Sequence, residues 1–293
     1  MRCAVDFGLT NIDLLIRTDD GCLLDSLMTP NNGGEIQKQF RDTLQKSGHV
    51  AADFERIAVT GGRSNQLGEK LDGVPIFYVK EEQAIGCGGL YLAGIDAAMV
   101  VSAGSGTAMV ATRRDDKVIK AVHITGSAVG GGTLQGLGYL LTGTTDPIEI
   151  DRLALTGNAN IVDLTLIEAV GNRVGNLPED ANAVNFGKVA RNPGEYERAD
   201  MAAGLVRLVA QVITVIAVNA ARAQNLDKVV FIGHLVDLPS INRELQITAG
   251  YYQTPILIPD KPGSGTVTGA LLWMETQWLP GLEKWTDTFG QDF

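Results

Sequence analysis

A chain of 293 residues with 45% hydrophobic side chains is long enough for two domains with substantial cores. Its formal net charge of −10 argues against a nucleic-acid partner or an anionic membrane surface. Three scattered cysteines, Cys3, Cys22 and Cys87, have no CxxC spacing, which offers neither a disulfide framework nor a zinc site and fits a reducing cytoplasm.

The opening MRCAVDFG is too short an apolar run for a signal segment, and Asp6 interrupts it, so a soluble cytoplasmic protein is expected. Residues 2–7 predict a strand that runs into the turn Asp6-Phe7-Gly8-Leu9-Thr10. Ile12–Ile16 and Gly21–Met28 predict two further strands, giving an antiparallel meander. Pro30-Asn31-Asn32-Gly33-Gly34 breaks the chain before a helix over 35–46, with Ile36, Phe40 and Leu44 on one face. A short strand at Ile57–Gly62, a helix at Asn65–Leu71, a strand at Ile76–Val79 and a helix at Glu82–Leu92 follow.

Ala97–Ser102 opens a second unit, again a strand leading into a small-residue turn, Ala103-Gly104-Ser105-Gly106-Thr107. Strands at Ala108–Arg113 and Val118–Ile124 come next. The same opening thus occurs twice without self-identity and reads as a structural repeat. Gly130, Gly131 and Gly132 precede an amphipathic run, Leu134, Leu137, Tyr139, Leu140 and Leu141, that predicts a helix. Three adjacent glycines let backbone N–H groups turn toward an oxyanion, and a helix N-terminus adds partial positive charge. Alone, the triplet serves equally as a tight strand-to-helix turn.

Pro147–Leu155, Ile161–Val170 and the polar span 171–197 predict small helices and loops. Asp200–Gln224 is the longest predicted helix, its polar stripe narrowed to Arg207, Gln211 and Thr214. Such a helix is buried in a domain core or against a partner subunit. A strand at Lys228–Ile232, a helix at Leu238–Ala249, a strand at Pro255–Ile258 and a closing helix at Thr266–Gln277 complete the pattern. The aromatic tail, with Trp278, Trp285 and Phe289, is expected to dock.

These stretches together resemble the type II pantothenate kinases, within the superfamily of acetate and sugar kinases, the heat-shock chaperone ATPase and actin. GGGTLQGLGYLLTG resembles the family's Gly-rich helix-opening motif, Val101–Thr107 its second phosphate loop, and Val79-Lys80-Glu81-Glu82-Gln83-Ala84 the region of its catalytic glutamate. Asn185–Val189, Val230–Gly233 and Gly269–Leu272 match further stretches in order. The resemblance implies an α/β fold of two ribonuclease-H-like (actin-like ATPase) domains with a nucleotide cleft between them. Their extents are 1–95 and 96–293, the second carrying a helical insertion at about 144–198 and dimerisation helices. It also implies a homodimer, ATP with Mg²⁺, and transfer of the γ-phosphoryl group to a hydroxyl of pantothenate or a related compound in coenzyme A biosynthesis.

Carried over residue by residue, the resemblance makes Glu81 the general base, with Glu82 a close competitor and Gln83 standing where an acid is usual. Asp6 becomes the carboxylate that holds Mg²⁺ through water. Gly8 and Thr10 line the phosphate tails, and Gly104, Gly106 and Thr107 hold the β- and γ-phosphates. Gly130, Gly131 and Gly132 face the sugar or phosphates, and Gly233 the adenine. Three departures stand beside these matches. Leu9 replaces a glycine of the first loop, Asp13 stands at a lysine position, and His123 stands where an arginine serves phosphate and acceptor. They keep a second reading open, a non-catalytic family member that binds nucleotide or acyl-CoA as a regulatory protein. A third, the Fe–S-carrying dehydratase activators of the same superfamily, needs interface cysteines, and none follows Cys87.

Overall fold

The computed structural model describes residues 1–115, 118–172, 175 and 177–278. The first half comprises β1 (Arg2–Phe7), β2 (Asn11–Arg17), β3 (Leu23–Pro30), α1 (Ile36–Lys46), β4 (Ile57–Thr60), β5 (Lys70–Leu71), β6 (Val74–Tyr78) and α2 (Glu81–Ala93). Then come β7 (Ala97–Ala103), β8 (Thr107–Asp115), β9 (Val118–Ser127), α3 (Gly131–Thr142), α4 (Pro147–Thr156), β10 (Leu164–Thr165), α5 (Leu166–Val170), β11 (Asn182–Val184) and α6 (Gly187–Arg191). The chain closes with α7 (Arg198–Ala223), β12 (Val229–Ile232), α8 (Pro239–Tyr251), β13 (Ile256–Leu257) and α9 (Gly265–Trp278).

Two sheets have the same plan. The first runs β3-β2-β1-β4-β6-β5 and the second β13-β12-β7-β8-β9. In each, three antiparallel strands are extended by parallel ones: β1 pairs with β4 and β4 with β6, while β7 pairs with β12 and β12 with β13. This is the duplicated ribonuclease-H-like topology of the actin-like ATPases, as the repeated openings predict. Central strands β1, β4, β7 and β12 are apolar on both faces, because helices cover both sides of each sheet.

Two helices cross between the sheets. α2, from the first half, packs on β7, β8 and β9, and Ile85 and Leu90 join the core of Val100, Val110 and Val230. α9, from the end of the chain, packs on β1, β2 and β4, where Val267, Ala270 and Leu271 meet Ala4, Leu15 and Ala58. The two helices touch backbone to backbone. A Cβ on Gly88 would strike the Gly265 carbonyl, and one on Gly269 would strike that of Ala84. The exchange ties the two sheets together beneath the cleft that separates them.

α7 is long and apolar enough, by length and composition, to cross a membrane, yet most of it is buried in this fold. It packs against α3, α4 and α8, and Leu205, Val209, Ile213 and Ala217 sit in the second core. Its apolar circumference is therefore largely used within the chain; Leu208, Val212 and Val215 remain half-exposed.

The helix predicted over 65–71 is instead a 3-10 turn at Ser64–Gln66 followed by β5. Gly68 takes φ +79°, a left-handed conformation that ends helical winding, while Leu67 and Leu71 are both buried. Within 161–170 the two-residue strand β10, which pairs with β11 from beyond the helix, precedes α5, whose start is fixed by Glu168 accepting from the Thr165 N–H and hydroxyl. Trp285 and Phe289 lie outside the described residues.

Candidate active site

Strands β1 and β7 both end at the cleft, so the turns that follow them face each other across it. A cavity of about 560 Å³ opens there. The first sheet lends it Asp6, Gly8, Thr10 and Asp13, and the second lends it Gly104, Ser105, Gly131, Gly233 and His234. Six of the ten residues expected around a nucleotide thus line one cavity; Gly106, Thr107, Gly130 and Gly132 are not in its lining. The two turns touch directly, through a hydrogen bond of 2.5 Å between the Thr10 and Ser105 hydroxyls.

The second turn is held by its own backbone. The Gly104 N–H donates to the Gly106 carbonyl at 2.9 Å, the Gly131 N–H to Gly104 at 2.8 Å and the Gly132 N–H to Ser105 at 2.9 Å. A Cβ on Gly130 would lie 2.7 Å from the Ser105 carbonyl oxygen and 2.9 Å from that of Gly104. The glycine triplet therefore docks the turn against the head of α3, and two of its N–H groups serve that contact rather than facing the cavity. Thr107 is likewise committed: its buried hydroxyl donates to the Val129 carbonyl at 2.9 Å. Gly233 takes φ +101° with its α-carbon against the Ala103 carbonyl, so a side chain is excluded on both counts.

Charge enters from the first sheet. Asp6 and Asp13 are direct cross-strand partners on β1 and β2, a like-charged pair on one face. The Asp6 carboxyl is pushed up to about 8, first by burial, then by Asp13 and Glu81, with His234 opposing. Gly61, after β4, leaves room for it: a Cβ there would be 2.7 Å from Asp6 Oδ1. Glu81 is the first residue of α2, and its carboxyl is raised by the surrounding protein and by Glu82, with His123 opposing. Glu81 thus lies within electrostatic reach of Asp6 and of His123, both far away in sequence, although neither Glu81 nor His123 is in the cavity lining. A register shift between Met109 and Val110 leaves Ile124 as an extra residue on β9 and sets His123 opposite Val110.

Among the described residues no three His, Cys, Asp or Glu side chains form a metal cage. The donor set is one half-buried carboxylate, Asp6, crowded by two others. That suits a hard cation which keeps its waters and takes further oxygens from phosphates, so the residues fit Mg²⁺ held through water.

The sequence carried no sign of His234. Its Nε2 lies 2.8 Å from Asp13 Oδ1 and its Nδ1 lies 3.0 Å from Asp237 Oδ2. The two carboxylates outweigh burial and push the imidazole up to about 10, so it is a cation at neutral pH. Asp13 is consequently paired rather than isolated. Leu9, the other departure in the first turn, is 77% exposed and lines the cavity with Met28 and Ile148.

The chain is similar to a type II pantothenate kinase from Bacillus cereus, at 29% identity over 81% of this chain and 86% of that protein. It is also similar to one from Staphylococcus haemolyticus, at 29% identity over 84% of this chain and 89% of that protein. Among solved structures, an activator of 2-hydroxyisocaproyl-CoA dehydratase from Clostridium difficile with bound ADPNP superposes with a TM-score of 0.64. It has 16% identity and covers 94% of this chain and 95% of its own. A ROK family glucokinase from Streptomyces griseus in complex with glucose and AMPPNP gives a TM-score of 0.60 at 14% identity, over 93% and 98%. These two establish the actin-like fold. The Fumble family model matches residues 95–254, more than half of the chain. The chain belongs to the Fumble family, that of the type II pantothenate kinases, a family of phosphotransferases, and is a divergent member of it.

Proposed function

We propose that this protein transfers the γ-phosphoryl group of Mg²⁺-ATP to a hydroxyl of pantothenate or a closely related compound, as a cytoplasmic step of coenzyme A biosynthesis. One observation carries the reading: Asp6, in the wall of a cavity between two facing turns, lies within electrostatic reach of Glu81, and Glu81 within that of His123. Phosphoryl transfer asks mainly for positioning and charge neutralisation, plus a group that accepts the acceptor hydroxyl's proton. Glu81 is that base; burial and Glu82 raise its pKa, which makes it a stronger proton acceptor than an ordinary carboxylate. Bound Mg²⁺ would neutralise phosphate charge, with Asp6 orienting it through water. His123 faces the acceptor side, Gly8, Thr10 and Gly104 adjoin the phosphates, and Gly131 and Gly233 adjoin the nucleoside. Behind them Gly106, Thr107, Gly130 and Gly132 hold the second turn in shape.

The domains are taken as 1–95 and 96–293, and the assembly as a homodimer. The half-exposed Leu208, Val212 and Val215 and the exposed Tyr139 and Leu140 support an apolar interface. A second reading, a nucleotide-binding regulator without turnover, is favoured by the exposed Leu9 and by the Gly131 and Gly132 N–H groups spent within the protein.

ADP release from Mg²⁺-ATP by the purified protein, with pantothenate and with other hydroxy acids and amides, separates them. Pantothenate-dependent release supports the proposal. Release with another acceptor alone overturns the substrate and keeps the chemistry. Nucleotide binding with no release for any acceptor selects the regulator.

A further inference from the structure

Asp13 and Asp6 face each other across β1 and β2 at the floor of the cleft, where a second anion beside a polyphosphate is repulsive. The structure answers this from 221 residues away. His234 follows Gly233 on the turn after β12, in the second sheet's half of the cleft, and reaches across to Asp13 on the first. Its other nitrogen is bound by Asp237, and Gly263, on the turn before α9, donates its N–H to Asp237 Oδ1 at 3.3 Å. Gly263 also backs onto the ring, since a Cβ there would strike His234 Nδ1 and Asp237 Oδ2. The imidazole is thus held on both nitrogens and from behind, and neither N–H is left to bind a phosphate.

We propose that His234 is a positioning residue: bridging Asp13 and Asp237, it cancels the anion at position 13 and clasps the two halves of the cleft at the spacing the nucleotide phosphates need. The inference rests on the kinase reading of the cavity and adds to it the device that makes Asp13 compatible with a polyanion. A lysine at position 13 would supply its cation from the first half of the cleft; here the cation comes from the second, and the same charge also joins the two.

The test is a four-protein cycle of wild type, Asp13→Asn, His234→Gln and the double variant, read by equilibrium binding of a fluorescent ATP analogue with Mg²⁺. His234→Gln leaves Asp13 uncompensated and is expected to weaken binding roughly tenfold. Asp13→Asn leaves the cation in place and is expected to bind at least as tightly as wild type. The double variant is expected to recover most of the loss. A purely structural His234 gives a different pattern, with both single variants weaker and the double weaker still, and that outcome overturns the proposal. Thermal unfolding of the same four proteins without nucleotide reads the clasp alone. Unfolding shifts of the two single variants that simply add in the double mean no clasp exists, even where binding is retained. If wild type binds no nucleotide while the unfolding shifts remain coupled, the kinase reading fails and the clasp survives without its proposed purpose.

Discussion

The turns after β1 and β7 occupy equivalent places in two sheets of the same topology, yet they are built from different physics. The first, Asp6–Thr10, is charged and side-chain-rich: Asp6 is crowded by Asp13 and Glu81, and Leu9 stands open over the cavity. The second, Ala103–Thr107, carries no charge and is closed by backbone hydrogen bonds to itself and to the head of α3. Duplication of a fold thus supplies two facing turns, but not two copies of a chemistry. The first turn contributes charge and the second contributes shape, and the cation of the second half, His234, comes from a different turn, the one after β12.

Four substitutions sharpen that division. Asp6→Asn removes the ionisable oxygen of the first turn without changing its shape, and turnover is expected to fall by roughly 10²-fold or more. The same change relieves carboxylate crowding, so the ligand-free protein is expected to unfold at a higher temperature. A variant that is both slower and less stable would mean Asp6 is structural. Gly130→Ala probes shape on the other side. A methyl group against the carbonyls of Ser105 and Gly104 is expected to cost about 1–3 kcal/mol, read in a denaturant titration. A neutral result would mean the second turn is not held as tightly as its hydrogen bonds imply.

His234 sharpens the comparison by pH. Its folded-state pKa, about 10, lies above the ordinary value of 6.5, so its stabilisation is fully present below about 6.5 and is lost as pH rises through about 10. The difference in unfolding temperature between wild type and His234→Gln is therefore expected to be largest near pH 6 and to shrink toward pH 10. A difference independent of pH would contradict a charged bridge. The smallest effect belongs to Ser105→Ala, which removes one exposed hydrogen bond to Thr10 and is expected to cost about 1 kcal/mol or less.

Much of this fold was legible in the residues. Alternating and continuous apolar runs separated by polar turns marked β1–β3 and β7–β9. The all-round apolar stretch marked α7, leaving open whether a core or a partner covers it. The 65–71 segment misled because Leu67 and Leu71 sit at helical spacing, while the left-handed Gly68 between them ends the turn. In the site, the motifs pointed to Asp6, Glu81 and His123, and the structure brings Glu81 within electrostatic reach of each of the other two. Thr107 was taken for a phosphate contact because hydroxyl direction is not written in spacing. His234 was invisible for a similar reason: a lone histidine after a strand shows nothing of the aspartate waiting on the opposite sheet.

The central claim is that the cleft binds nucleotide and that Glu81 acts on the chemistry rather than on binding. Calorimetric titration of Mg²⁺-ATP into wild type and Glu81→Gln, paired with single-turnover phosphoryl transfer to pantothenate, tests it most directly. The account predicts equal nucleotide affinity with transfer slowed by roughly 10²-fold or more in the variant. Unchanged transfer, or loss of nucleotide binding with Glu81, would contradict it.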